Sequence, residues 1–313
     1  MFPYVIKRVL SSVPVMIVVA IVVFAILRLT PGDPAAVLAG NDATGEQLDR
    51  IRESMGLDQP LLVQLVTWFR QLLSGDLGES LLSGIPVTRM IGERLAPTLS
   101  LAVGTMGVTI LLAIPMGIVA ARKPGGVLDR AVMSFSVLGF SIPIFVTGYV
   151  LIYLLALRFG WLPVQGYRPM SDGLWAYAER LIMPIMALSG VYIALVARIT
   201  RSSIIEVMGE DFIRTARSKG APERRILMRH ALRNAAVPIV TVLGIGVASL
   251  ITGVVVTESV FNLPGLGRLV VEAVLARDYP VIQGLILLFS FTYILINLVV
   301  DILYTVFDPR IRY

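Results

Sequence analysis

Uncharged apolar runs of about 20 residues recur along this chain, and only a helix lets such a run satisfy its own backbone in lipid. Six runs qualify: residues 9–27, 98–121, 131–157, 181–197, 235–257 and 281–300, the last with room to continue to 307. The third is long enough to tilt across a bilayer, and the fourth is the shortest. Pro115, Pro143, Pro184 and Pro238 predict breaks or kinks. Gly244, Gly246 and Gly253 predict close helix approach along the fifth run. Lys7 and Arg8 precede the first run like the start of a signal peptide. The run is too long for that and no A-x-A site follows, so it reads as an uncleaved span.

The segments between the runs carry their own patterns. Residues 30–97 form a long excursion that opens with the rigid turn Pro31-Gly-Asp-Pro34. Thr44 and Gln47 have capping-box spacing, predicting a helix through about Met55. Asp58 and Pro60 open a second, amphipathic helix bearing Leu61, Leu65, Trp68, Phe69 and Leu72, which Gly75-Asp76 ends. Residues 87–95 read as a short helix along the membrane surface. The excursion is either a cap that contacts a partner or a packed brace for the spans. Residues 258–280, with the turn Pro264-Gly-Leu-Gly267 beside Phe261 and Leu263, suggest a partly re-entrant hairpin, with a plain connecting loop as the even alternative.

The pattern predicts an all-α integral membrane fold. Residues 1–29 hold the first transmembrane helix and 30–97 an external helical loop. Residues 98–313 form the core, with spans near 98–121, 131–157, 181–197, 235–257 and 281–307 and a polar loop at 201–234 between the fourth and fifth.

Charge orients this arrangement. Of 313 residues, 56% are hydrophobic and only 15% charged, well below the quarter usual in soluble proteins. With the N-terminus in the cytoplasm, sixteen of the 27 Lys and Arg fall in cytoplasmic segments, nine of them between Arg198 and Arg233. The short external loops hold five. This asymmetry predicts that both termini are cytoplasmic, and it makes the net charge of +6 a topology signal rather than a nucleic-acid footprint.

Candidate chemistry is sparse. There is no Cys and one His, His230, which excludes thiolate chemistry, H-E-x-x-H and any two-histidine metal site. No G-x-S-x-G elbow and no P-loop occurs. Asp301 is the single carboxylate expected inside a span, with Asn297 one turn away. Such groups are often functional, but structural pairing with an arginine, or contact with water, is the favoured reading. Arg28, near the end of the first span, fits a snorkelling side chain.

The most informative stretch runs from Asp211 to Arg233. Phe212, Ala216 and Lys219 share one helical face, Gly220 suits a left-handed helix C-terminus, and Pro222 suits the first turn of a second helix. Ile226, Leu227 and Ala231 give that helix an apolar face, with Arg224, Arg225, Arg229 and Arg233 around the rest. Two short helices joined by Gly-Ala-Pro make a compact knob.

Here the chain resembles the permease subunits of binding-protein-dependent ABC importers, in the dipeptide, oligopeptide, glutathione and nickel branch. The resemblance rests on Arg214-Thr-Ala-Arg-Ser-Lys-Gly220 and His230-Ala-Leu-Arg-Asn-Ala-Ala-Val-Pro238. Leu29-Thr-Pro-Gly-Asp-Pro34, Gly56-Leu-Asp-Gln-Pro60 and Gly75-Asp-Leu-Gly78 fit it too. So do Thr257-Glu-Ser-Val-Phe-Asn-Leu-Pro-Gly-Leu-Gly267, Arg277-Asp-Tyr-Pro280 and Asp308-Pro-Arg-Ile-Arg-Tyr313. The general permease motif has Glu-Ala-Ala six residues before its glycine; Arg214-Thr-Ala216 stands here, leaving that glutamate's role without a residue.

The resemblance implies a multi-pass protein of the bacterial inner membrane that pairs with a second permease, two ATP-binding subunits and an external substrate-binding protein. It implies that Asp211, Arg214, Ala216, Arg217, Lys219, Gly220, Ala221, Glu223 and Arg224 form a coupling surface for an ATPase. Phe261, Leu263, Pro264 and Gly265 would seal an external gate or meet the binding protein. This chain would bind no cofactor, ATP and Mg belonging to the partner subunits, and no metal or nucleic acid. An ion-coupled secondary transporter or channel is the competing reading, though it normally carries more intramembrane polar groups and inverted repeats.

Overall fold

The computed structural model describes residues 2–29, 34–39, 44–54 and 56–307. The Pro31-Gly-Asp-Pro34 turn, Met55 and the motif from Asp308 fall wholly or partly outside them. Among the described residues the chain is helical, with one isolated bridge between Glu79 and Pro86. Four helices are long and apolar enough to cross a membrane, and two bent helix pairs bring the total to six.

In chain order, α1 spans Phe2–Leu29. The short helices α2 (Pro34–Ala39), α3 (Gly45–Ser54) and α4 (Leu61–Leu73) follow. Thr44 and Gln47 form the reciprocal capping box at α3: the Thr44 amide donates to Gln47 Oε1 at 3.0 Å and the Gln47 amide to Thr44 Oγ1 at 3.4 Å. At α4 the N-cap is Pro60, and no side chain caps it, so Asp58 does not play that part. The other end of α4 closes as expected. Gly75 takes φ +81°, and the amides of Gly75 and Asp76 reach back to Leu72 and Gln71, the Schellman pattern that satisfies orphan carbonyls.

The long helix α5, Val87–Arg122, has 36 residues. The expected surface helix at 87–95 is thus the start of α5. Its apolar face is occupied by protein: Val87 and Ile91 are buried with Leu266, Leu269, Val281 and Leu285.

The third span departs most from expectation. Instead of one tilted helix, α6 (Val127–Ser141) and α7 (Ile144–Leu151, continued as a π-helix over Ile152–Arg158) meet at 100°. A proline disfavours the helical region for its predecessor. Ile142, before Pro143, accordingly lies at φ −94°, ψ 119°. The fourth span is a correction of another kind. It reads as the shortest but is the 35-residue α8, Leu174–Met208, with 56% of its apolar window buried. The run stops at the charged Arg180 and Arg198, while the helix continues past both, with Thr200 and Ser203 buried in protein.

Two short helices, α9 (Asp211–Ser218) and α10 (Glu223–Arg225), lead into a π-helix over Ile226–Ala231 and α11 (Leu232–Asn234). The fifth span is α12, Ala236–Val260, bent 56° from the segment before it. α13 covers Leu266–Ala276 and α14 covers Tyr279–Phe307. The expected re-entrant hairpin is therefore replaced by α13. Its Leu266, Leu269, Val270 and Ala273 recur at helical spacing, and three of the four are buried.

The chain divides into two compact units, one built on Pro97–Pro264 with the chain from Leu295, the other on Lys7–Ala96 with Gly265–Ile294. This grouping differs from a linear division near residue 98, because 265–294 packs with the N-terminal part. In the first unit α8 is the hub, packing on α6, α7 and α12. Gly117 lets α5 approach α8 closely: a Cβ there would lie 2.7 Å from the Ala197 carbonyl oxygen. Of the three glycines expected to do this in α12, Gly244 does so against Val300, while Gly246 and Gly253 sit at ordinary contact distances. In the second unit Phe24 of α1 meets Trp68 of α4 at 5.7 Å between ring centroids, and the Arg28 guanidinium lies 5.2 Å from the Phe24 ring.

Candidate coupling site

The Asp211–Arg233 knob folds as two short helices about a tight turn. Gly220 lies at φ +77°, a conformation that a Cβ disfavours. Its amide donates to the Arg217 carbonyl at 2.8 Å and the Ala221 amide to the Ala216 carbonyl at 3.2 Å, a second Schellman closure. Pro222 is the N-cap of α10, one position before the helical turn expected for it. Across this turn Arg217 grips Glu223, Nε to Oε1 at 2.6 Å and Nη2 to Oε2 at 3.3 Å. The hydrogen bonds, and then charge attraction, hold the Glu223 carboxyl below its ordinary range and the Arg217 guanidinium above its own.

The knob is anchored from beneath. Ile226, Leu227 and Ala231 are buried as their spacing predicts. Leu227 and Ala231 pack with Ile118 and Ala121 of α5 and Ile204 of α8. Ile213 of α9 is fully buried, an anchor that the face through Phe212, Ala216 and Lys219 concealed. The segment at 226–231 is a π-helix, which sequence periodicity did not reveal.

Above the turn lies an open groove of about 640 Å³ whose walls include Phe212, Ala216, Gly220, Arg225, Arg229 and His230. Asp211, Arg214, Arg217, Lys219, Gly220, Glu223 and Arg224 are exposed, and Ala216 and Ala221 half-buried. Not all of these charges are unengaged. Arg217 holds Glu223, and Arg214 stands 3.5 Å from Asp211. Among the described residues Lys219, Arg225 and Arg229 have no ion-pair partner, so the groove presents a cationic, partly apolar surface. Arg225, Arg229 and His230 line this groove but are not among the nine residues of the expected coupling surface.

The gate candidates divide. Phe261 and Leu263 belong to the core of the first unit with Leu188 and Leu250, and Phe261 packs where Gly148 of α7 leaves room. Asn262 between them takes φ +52° as the left-handed residue that ends α12, with the Leu263 amide bonded to the Glu258 carbonyl at 2.9 Å. Pro264 is exposed, and Gly265 caps α13 in the second unit. Direct contact of a partner with the Phe261 and Leu263 side chains is therefore not available in this conformation.

Beside Asp278 of the second unit, two buried carboxylates of the first unit went unread in the sequence. Asp129 takes hydrogen bonds from Arg201 and the Gly125 amide, and Glu258 accepts from the Thr98 hydroxyl at 2.6 Å. Both stand just outside the expected spans 131–157 and 235–257, and Asp301 is the carboxylate expected within one. It is half-buried on α14, and one turn on Tyr304 donates to Thr241 of α12 at 2.8 Å.

Comparison with known proteins decides the family. The model of the binding-protein-dependent transport system inner membrane component matches residues 113–313, and that of its N-terminal part matches residues 1–102. The chain belongs to this family. It is the membrane-embedded permease subunit of an ABC importer and not an enzyme, which removes the secondary-transporter reading. It is 50% identical over 310 residues to a probable peptide ABC transporter permease of Sinorhizobium fredii, covering 99% of each chain. It is 43% identical over 313 residues to the glutathione transport system permease GsiC of Salmonella choleraesuis, covering 100% of each. Among solved structures, a subunit of the MetNI methionine ABC transporter in an inward-facing conformation shares the fold. The TM-score is 0.59 at 18% identity, over 71% of this chain and 97% of that one.

Proposed function

We propose that this permease carries short peptides into the cytoplasm of a bacterium, driven by ATP-binding subunits that seat on the Asp211–Arg233 knob. The observation that carries the reading is the groove over the Gly220 turn. It is open, cationic through Lys219, Arg225 and Arg229, and carried by helices that pack on the ends of α5 and α8. A push on the knob reaches the spans through Leu227 and Ala231. The two helices are tied across their turn by the Arg217–Glu223 pair, so they move together. Carboxylates on the ATPase complement the free guanidinium groups.

The excess of Lys and Arg near the knob supports a cytoplasmic side for it and for both termini, in the inner membrane. A second permease completes the passage, an external binding protein delivers the solute, and ATP with Mg is bound by the partner subunits. The names of the relatives support peptides, with glutathione, itself a tripeptide, inside the same chemical class.

The test is charge reversal at two groove residues that make no internal ion pair, R225E with R229E. The expected result is loss of co-purification with the ATP-binding subunits and of ATP-driven uptake of a labelled dipeptide into proteoliposomes. Undiminished binding and uptake would sink the assignment of the groove. Competition by glutathione against the labelled dipeptide reports which solute is preferred.

A further inference from the structure

A second groove, of about 550 Å³, is lined by residues of the knob and of the C-terminal ends of α5 and α8. Arg122 is the last residue of α5 and Met208 the last of α8. Both line this groove, together with Ala121, Leu227, Glu223 and Arg224. Its floor is apolar and its rim is charged. Glu223 is committed to Arg217 across the knob turn. Among the described residues Arg122 and Arg224 have no ion-pair partner. The rim therefore holds two uncompensated guanidinium groups over an apolar floor, one of them the residue that ends α5 directly after the apolar run 98–121.

We propose that this groove binds the headgroup of an anionic phospholipid. The phosphate lies between Arg122 and Arg224, and the upper acyl carbons rest on Ala121, Met208 and Leu227. Guanidinium forks suit phosphate oxygens, and basic pockets at the ends of spans take anionic headgroups. A free phosphate satisfies the rim but leaves the apolar floor wet, so the lipid is the better occupant. Because Leu227 and Arg224 belong to the knob while Ala121 and Arg122 belong to α5, a bound lipid bridges the two and steadies the knob against the spans. The proposal depends on this geometry and not on the solute carried or on ATPase docking.

The experiment uses the full chain purified in a neutral detergent, with phosphatidylglycerol, phosphatidylcholine or inorganic phosphate added in turn. Lipid retention is read by native mass spectrometry and thermal midpoint by fluorescence. Phosphatidylglycerol is expected to be retained and to raise the midpoint, and phosphatidylcholine is not. R122Q with R224Q is expected to weaken phosphatidylglycerol retention by about tenfold or more, while R122K with R224K retains much of it. Removing the same number of charges from the other groove, R225Q with R229Q, is expected to leave retention unchanged. Equal retention by the R122Q/R224Q variant overturns the proposal, as does equal loss in R225Q/R229Q, which would mean general charge attraction. Equal protection by inorganic phosphate alone overturns the lipid assignment in favour of a free anion.

Discussion

Arg201 of α8 donates from both Nε and Nη2 to the carboxylate of Asp129, one turn into α6, with the Nη2 bond at 2.7 Å. Asp129 is 3% exposed and receives a third bond from the Gly125 amide at 2.7 Å. This pair fastens the start of the bent third span to the hub helix. Removing one partner of a buried pair strands the other charge. Arg201 retains some access to water, so the cost falls at the low end of that effect. Asp129→Asn is expected to lower stability by about 3 kcal/mol, read as a drop in thermal midpoint in detergent. The double variant with Arg201→Gln should cost less than the two single losses added together.

Gly117→Ala tests the close approach of α5 to α8. The added methyl meets Thr200 Cβ at 2.6 Å and the Ala197 carbonyl at 2.7 Å, and backbone in a packed helix yields little. A loss of about 1–3 kcal/mol is expected, again from thermal unfolding. Gly246→Ala serves as the control, since its new methyl would find Tyr192 at 3.4 Å, an ordinary contact distance.

The knob has a pH dependence whose sign follows from Glu223. Its folded carboxyl titrates below its ordinary value because of Arg217. The ion pair's contribution is thus fully present above the unfolded carboxylate pKa, near 4.3, and is lost as pH falls through the lower folded value. Hydrogen exchange at the Gly220 and Ala221 amides, corrected for intrinsic rates, should accelerate as pH is lowered through that range. In Glu223→Gln the acceleration should be absent and exchange already faster at neutral pH. A pH-independent profile in the parent chain would refute the pair's role in closing the turn.

Ser80 and Asp278 join two stretches nearly two hundred residues apart. Asp278 accepts from the Ser80 hydroxyl and, at 3.1 Å, from the Leu81 amide, and both side chains are buried. Asp278→Ala leaves these donors without their acceptor. A cost of about 2 kcal/mol is expected, with faster proteolysis in the loop at 79–86. Ser80→Ala should cost less, since Asp278 keeps the Leu81 amide.

Reading from sequence worked where the deciding physics is local. The capping box at Thr44 and Gln47, the left-handed terminus at Gly220 and the buried face of Ile226, Leu227 and Ala231 each depend on residues within a turn or two. It failed where burial was decided by distant chain. The fourth run looked short because Arg180 and Arg198 bound it, yet α8 runs on through both and buries Thr200 and Ser203 in protein. Residues 87–95 and 266–276 each looked like surface or loop; each buries its apolar face against the other's neighbourhood.

That this chain is a helical membrane permease was legible in the string of residues, because apolar run length, basic asymmetry and the motif at 214–220 need no tertiary contact to be read. Tertiary structure alone decided which polar groups are paired and how sharply the third span bends at Pro143. It also decided which cations of the knob remain free for a partner. Arg217 and Arg225 are alike as letters, and both lie in the same basic loop. One is engaged because the Gly220 turn brings Glu223 within reach, and the other is free because no described carboxylate pairs with it.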